Sequence, residues 1–159
     1  MNGDSPQPGA VQLLRAQFYL RNIVEIPAER ATLMAKARAV LEQLVAARAE
    51  PYSRRALATL AAVGFYERDY AAAIPIYRRY LASYPSSDWA WVAQLRLGQS
   101  QMATGDAAAA AQSFAALTTR AGAAGFMQVL GHALAAEALA STGEVGEAAR
   151  HAELALARW

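Results

Sequence analysis

Apolar residues recur along most of this chain at steps of three and four, the spacing of one face of an α-helix. Between Leu57 and Leu117 the pattern also repeats on a larger scale. Leu60, Ala61, Asp69, Ala73 and Tyr77 are followed by Leu97, Gly98, Asp106, Ala110 and Phe114, each standing 37 positions after its counterpart. A fixed period of this size marks an array of helical hairpins. In each hairpin a small residue on the first helix (Ala61 or Gly98) and one on the second (Ala73 or Ala110) let the backbones approach. Leu60, Leu97, Tyr77 and Phe114 fill the space beside that contact. Arg68-Asp69 and Gly105-Asp106 form the turns, with each Asp as N-cap. Gly105 suits the left-handed conformation that commonly ends a helix.

Outside this stretch the hairpin pattern continues with weaker marks. Residues 1–9 read as a disordered tail, polar and rich in Pro and Gly. A helix is expected from about Ala10 to Val24, with Leu14, Phe18 and Asn22 at four-residue steps and Val11 beside them. After Pro27 a second helix runs from about Ala28 to Ala49, burying Leu33, Ala37, Val40, Leu41, Leu44 and Arg48. This pair is either a degenerate first repeat or an N-terminal cap. Two clear hairpins follow, about 52–85 and 87–121. Pro75 is expected to kink its helix unless it falls within the first turn and a half, Pro85 to end that helix, and Ser87 to cap the next. Gly122-Ala-Ala-Gly125 reads as a loop. A last hairpin, about 124–159, turns at Gly143-Glu144, 38 positions after Gly105. In it Ala136, Ala148 and Ala152 take the close-contact and aromatic positions. Its final helix carries Val145, Ala149, Ala152, Leu156 and Trp159 on one stripe, expected to pack inward, with pairing to another copy as the main competitor and continuation into further residues as a third reading.

Composition narrows the class. At 159 residues the chain is one domain able to bury most of its unfolded surface. Alanine makes up about a quarter of it and β-branched residues are few, which favours helix. The fold class is therefore all-α, with essentially no strand. A net charge of +2 gives no strong field for nucleic acid or membrane. There is no cysteine, so disulfides and thiolate metal sites are excluded. No apolar run is long enough to span a bilayer, and the first residues do not read as a signal peptide. They are either a native tail or the trimmed start of a longer exported or anchored protein. All basic residues but Lys36 are Arg, which reads as a GC-rich bacterial coding bias. The compartment, periplasm or cytoplasm, stays open.

The Leu-Gly of the first helix, the Gly-Asp turn, the Ala and aromatic of the second helix and the terminal Pro fall in the order of the tetratricopeptide repeat (TPR) family. From about Arg54 to Trp159 the chain resembles that family. Tyr80-Leu-Ala-Ser-Tyr84-Pro85-Ser86-Ser87, followed by Ala90, Ala93 and Leu97-Gly98, is similar to bacterial envelope TPR proteins of the Tol-Pal-associated coordinator and outer-membrane assembly lipoprotein type. The resemblance implies a right-handed superhelix of antiparallel helix pairs, in which the first helix of each pair lines a concave groove. By helical phase that groove takes Arg55, Ala58, Ala62 and Tyr66, then Val92, Arg96, Gln99 and Met102, then Leu130, Ala133 and Glu137, with Trp91 as an exposed aromatic anchor beside them. Such a mixed surface suits a peptide or partner helix with one acidic contact. The chaperone-type carboxylate clamp of the family needs Lys and Asn where Thr59 and Ala62 stand, so that specificity is not expected.

Chemistry finds little support. His132 and His151 lie on different helices with no ligand-spaced partner, and read as surface or interhelix histidines. No Gly-rich phosphate loop follows a strand and no Ser sits in a nucleophile elbow. The tyrosines 66, 70, 77, 80 and 84, with Trp89, read mostly as repeat core. Arg54-Arg55 and Arg78-Arg79 beside them leave RNA binding by stacking as a third reading. The expected function is a non-enzymatic scaffold or adaptor that binds another protein, without cofactor or metal. Self-association through the repeat ends is the alternative.

Overall fold

The structure is a computed structural model and describes residues 7–25, 27–119 and 125–159. The described residues form eight α-helices, one 3-10 turn at Pro27–Glu29 and no strand. The protein is all-α. The chain divides into two compact units, Met1–Leu60 and Ala61–Trp159.

The first unit holds α1 (Pro8–Glu25), α2 (Arg30–Ala47) and the start of α3 (Tyr52–Tyr66). α1 packs on α2. On α2 the expected stripe of Leu33, Ala37, Val40, Leu41 and Leu44 is buried, while Arg48 is exposed and closes the helix in the left-handed region. α1 begins two residues earlier than expected, at Pro8, inside the stretch read as a tail; the rest of that expectation lies outside the described residues. α1 also turns the opposite way from the one its four-residue steps suggested. Leu13, Ala16 and Ile23 are buried, whereas Val11, Leu14 (64% exposed) and Phe18 (62%) face outward. α1 carries two apolar stripes, and the one with the smaller residue wins. Ala16, fully buried, lets the helix axes approach, which bulky Leu14 and Phe18 would prevent. The first turn of α1 is equally close to Tyr52: a Cβ on Gly9 would lie 2.5 Å from its ring.

The second unit continues from the end of α3 through α4 (Tyr70–Ser83), α5 (Ala90–Ala103), α6 (Ala107–Thr119), α7 (Gly125–Thr142) and α8 (Val145–Leu156). Its helices pack in chain order, α4 on α5, α5 on α6, α6 on α7 and α7 on α8. Three of its turns share one construction. Arg68, Gly105 and Gly143 each stand in the left-handed region, at φ 61, 83 and 85°. The next residue's N–H reaches back five positions each time: Asp69 to Gly64 O, Asp106 to Gln101 O and Glu144 to Leu139 O, at 2.9, 2.9 and 3.1 Å. This closure satisfies carbonyls that a helix end leaves open. Asp69 and Asp106 then cap the new helices, accepting from Ala72 N–H at 3.3 Å and Ala109 N–H at 3.1 Å. Glu144 makes no side-chain cap.

Small residues fix the interhelix contacts. A Cβ on Gly98 of α5 would meet the Phe114 ring of α6 at 2.5 Å, and one on Gly131 of α7 the Phe114 carbonyl oxygen at 2.9 Å. Near the start of the unit Gly64 stands at 3.2 Å from Ala73 in the same sense, one turn beyond the expected Ala61. The core of α6 and α7 consists of Ala110, Ala111, Phe114, Leu117, Met127, Ala135 and Ala138. Between α5 and α6 a buried Ser113 hydroxyl donates to Gln101 Oε1 at 2.6 Å.

α4 contains exposed Pro75 and ends at Ser83, just before Pro85, as expected. Other local expectations change. α5 starts at Ala90 rather than Ser87, because the Ser87 hydroxyl is bonded to the Tyr80 hydroxyl at 2.9 Å. Trp89, packed on Tyr80 at 4.9 Å and Tyr77 at 6.1 Å, occupies the cap position instead. Gly125 already belongs to α7, and the rest of the expected loop lies outside the described residues. In the last hairpin Ala148 is buried, Ala136 is half-buried and Ala152 is exposed. The stripe of Val145, Ala149, Ala152, Leu156 and Trp159 does not pack inward: all five are exposed, Trp159 at 92%. α8 buries Ala148 and Ala155 instead.

Candidate interaction face

The expected groove residues separate into three groups. Tyr66, Arg96 and Gln99 come together in the second unit, at the C-terminal end of α3 and along α5. The Arg96 guanidinium carbon sits 4.5 Å from the Phe65 ring centroid and 5.7 Å from that of Tyr66. Its Nη1 donates to Gln99 Oε1 at 2.8 Å. Positive charge over two aromatic faces is favourable, and the stacked guanidinium keeps its in-plane donors at the edge. Phe65 is itself braced edge-on by Tyr66 at 5.7 Å and Tyr70 at 5.5 Å. Tyr66 is 71% exposed, so the outer wall of this cluster faces water. No carboxylate pairs with Arg96 among the described residues. Val92, one turn before Arg96 on α5, is half-buried and Trp91 is exposed.

Tyr77 lies beneath this cluster. It is 1% exposed, and its hydroxyl makes no hydrogen bond among the described residues. Burial pushes its ionisation well above the ordinary tyrosine range; the Arg96 charge opposes that shift and Tyr66 adds to it.

The second group belongs to the core. Met102 and Leu130 are packed against the α6–α7 cluster rather than lining an open wall. Their alternation between groove and core follows from helical phase alone only to within a residue, and the packed neighbours decide. The third group stands apart. Arg55 and Ala58 belong to the first unit, where Arg55 is exposed. Ala62 is half-buried at the start of the second unit, and Ala133 and Glu137 are exposed on α7.

Two arrangements escaped the sequence reading. Phe65, the ring directly under Arg96, carried no mark beyond its neighbour Tyr66. The histidines, read as surface or interhelix residues, are interhelix and meet: His132 Nδ1 on α7 and His151 Nδ1 on α8 are 3.1 Å apart. Both stand two to three turns from Gly143 on opposite arms of one hairpin, a signal that the hairpin frame contained. Among the described residues no three ligating side chains converge, and no helix is long and apolar enough to cross a membrane. No protein-family model, no curated protein and no solved structure matches this chain.

Proposed function

We propose that this chain is a non-enzymatic protein-interaction module, a TPR-like array of antiparallel hairpins that winds into a right-handed superhelix. It binds a peptide or partner helix along the face of Tyr66, Trp91, Val92, Arg96 and Gln99. The observation that carries this reading is the Arg96 guanidinium. It is held over Phe65 and Tyr66 and has no internal counter-ion among the described residues. Phe65, Tyr66 and Gln99 hold the guanidinium without neutralising it, so its charge is left for an acidic group of a partner. Here its orientation is fixed in advance, which lowers the ordering cost of accepting an acidic side chain of a partner. The three equivalent turns at Arg68, Gly105 and Gly143 and the packing of helices in chain order support the repeat reading.

The test uses the full chain immobilised as bait in native extract, beside Arg96→Glu. The expected result is a defined partner retained by the wild type and lost from the variant, with equal melting temperatures. Equal capture by both proteins would move the site elsewhere.

A second reading is favoured by one specific observation, the exposed Val145, Leu156 and Trp159 at the C-terminal end. A repeat array normally closes with a polar outer face. Self-association through this stripe would raise the mass with concentration, and a constant monomer mass at high concentration would exclude it.

A further inference from the structure

A hydrogen bond between two imidazole nitrogens needs one proton and one lone pair. With His132 Nδ1 and His151 Nδ1 3.1 Å apart, one must carry hydrogen and the other must be bare. The rings are tilted by 54° with centroids 5.2 Å apart, so the two nitrogens lead the approach. A proton on the bare nitrogen would set two N–H groups head to head with one ring charged, and a further proton would charge both.

The surroundings sharpen this conflict. His132 is buried on α7. α6, packed on α7, has no ionisable side chain in its sequence. Burial acts against charging His132, as do His151 on α8 and Arg158 just beyond its end. Glu147, one turn before His151, is exposed and directed to Arg150 at 3.4 Å. Glu144 and Glu153 on α8 and Glu137 on α7 are exposed as well. No carboxylate bonds to either ring among the described residues. A divalent ion would find two imidazoles and a neighbouring arginine, a poor site; the cation this pair suits is the proton.

α8 packs along α7 with Ala148 and Ala155 buried and His151 and Leu154 half-buried, while Val145 and Leu156 face outward. The histidine pair adds a side-chain hydrogen bond across this apolar contact.

We propose that His132 and His151 form an acid-sensitive latch, which keeps α8 docked on α7 while one proton lies between the two rings and lets it go when a second arrives. Acid then uncovers one face of α7 and leaves α5 and α6 undisturbed. Protonation of the bare nitrogen is the whole chemical event, and no bond other than N–H is made.

Hydrogen exchange of the full chain, followed by mass spectrometry at about pH 7.5 and about pH 5 and corrected for intrinsic rates, tests it. Amides of α8 should lose about tenfold or more of their protection at the lower pH. The ceiling is about thirtyfold per histidine, set by the distance from an ordinary value near 6.5 to pH 5. Amides of α5 and α6 should not change. His151→Gln offers His132 an amide that cannot take up a proton, and should flatten the dependence. The latch is overturned by α8 protection that is equal at both pH values, by α8 and α6 opening together, or by His151→Gln keeping the wild-type dependence. If that variant leaves α8 open at every pH, imidazole 15N shifts of the wild type decide. Ring protonation coinciding with α8 opening supports the latch, and protonation with α8 still closed rejects it.

Discussion

The replacement Gly98→Ala is the sharpest test of how the second unit is held together. Adding a methyl group to a helical glycine ordinarily stabilises a protein by roughly 0.5–1 kcal/mol, because the unfolded chain loses freedom. At Gly98 the new Cβ would meet three ring carbons of Phe114, at 2.5, 2.7 and 2.8 Å. Ordinary carbon contacts lie about 1 Å further out. The ring has little room to retreat: Phe114 is 2% exposed, and its backbone carbonyl is in turn close to Gly131 on α7. Overpacking of this kind costs about 1–3 kcal/mol. With the helix gain subtracted from the upper end of that range, the net loss is about 2 kcal/mol. Denaturant unfolding followed by far-UV circular dichroism gives the free energy, and a melt gives a fall of about 4–8 °C on the scale for chains of this size. Gly146→Ala is the control. Nothing lies within 4 Å of its Cβ, so it should stabilise by a few tenths to about 1 kcal/mol. A Gly98→Ala protein as stable as the wild type, or more so, would refute the claim that this glycine sets the approach of α5 and α6.

Ala110→Leu, at a fully buried position in the same contact, should destabilise by about 1–3 kcal/mol, and an unchanged melting temperature would dissolve the pairing. Ser113→Ala should cost about 1–3 kcal/mol by leaving the buried Gln101 Oε1 without its donor, whereas adding Gln101→Leu should restore part of the loss; a double variant worse than the sum of both singles would contradict this. Asp106→Ala removes the α6 cap and should cost about 1 kcal/mol by chemical denaturation, against a smaller effect at Asp69, where the bond is longer. The fourth expectation concerns pH. His132 is held below its ordinary range by burial, by His151 and by Arg158, so its contribution is complete above pH about 6.5 and is lost as the pH falls through the depressed value. The melting temperature should therefore drop on the acid side in the wild type and drop less in His132→Gln; parallel curves would exclude the histidine as the cause.

Periodicity revealed the hairpins because each turn depends on residues a few positions apart. A left-handed residue, a capping Asp and a small residue one helix away are local requirements, and local requirements leave a regular trace in the sequence. The face of α1 was misread for the opposite reason. Two apolar stripes share that helix, and the choice between them is made by packing on α2, which buries the stripe with Ala16. Met102 and Leu130 moved from groove to core by the same logic. The Arg96 cluster was half legible: Tyr66 and Arg96 followed from the period, but Phe65 beneath them and the unbonded hydroxyl of Tyr77 arise from side chains on three helices. The interhelix position of the histidines was legible in the hairpin frame, but their direct contact depends on how α8 packs on α7.

The sequence by itself determined that this protein is helical, where its turns fall and which small residues mark close contacts, since propensity, capping and backbone handedness act within a few residues. Only the tertiary structure decided which stripe of α1 turns inward, that the end of α8 stays exposed, and that Arg96 lies over aromatic rings while His132 meets His151. Those outcomes depend on which surfaces compete for the same space, and that competition joins residues whose separation along the chain carries no period.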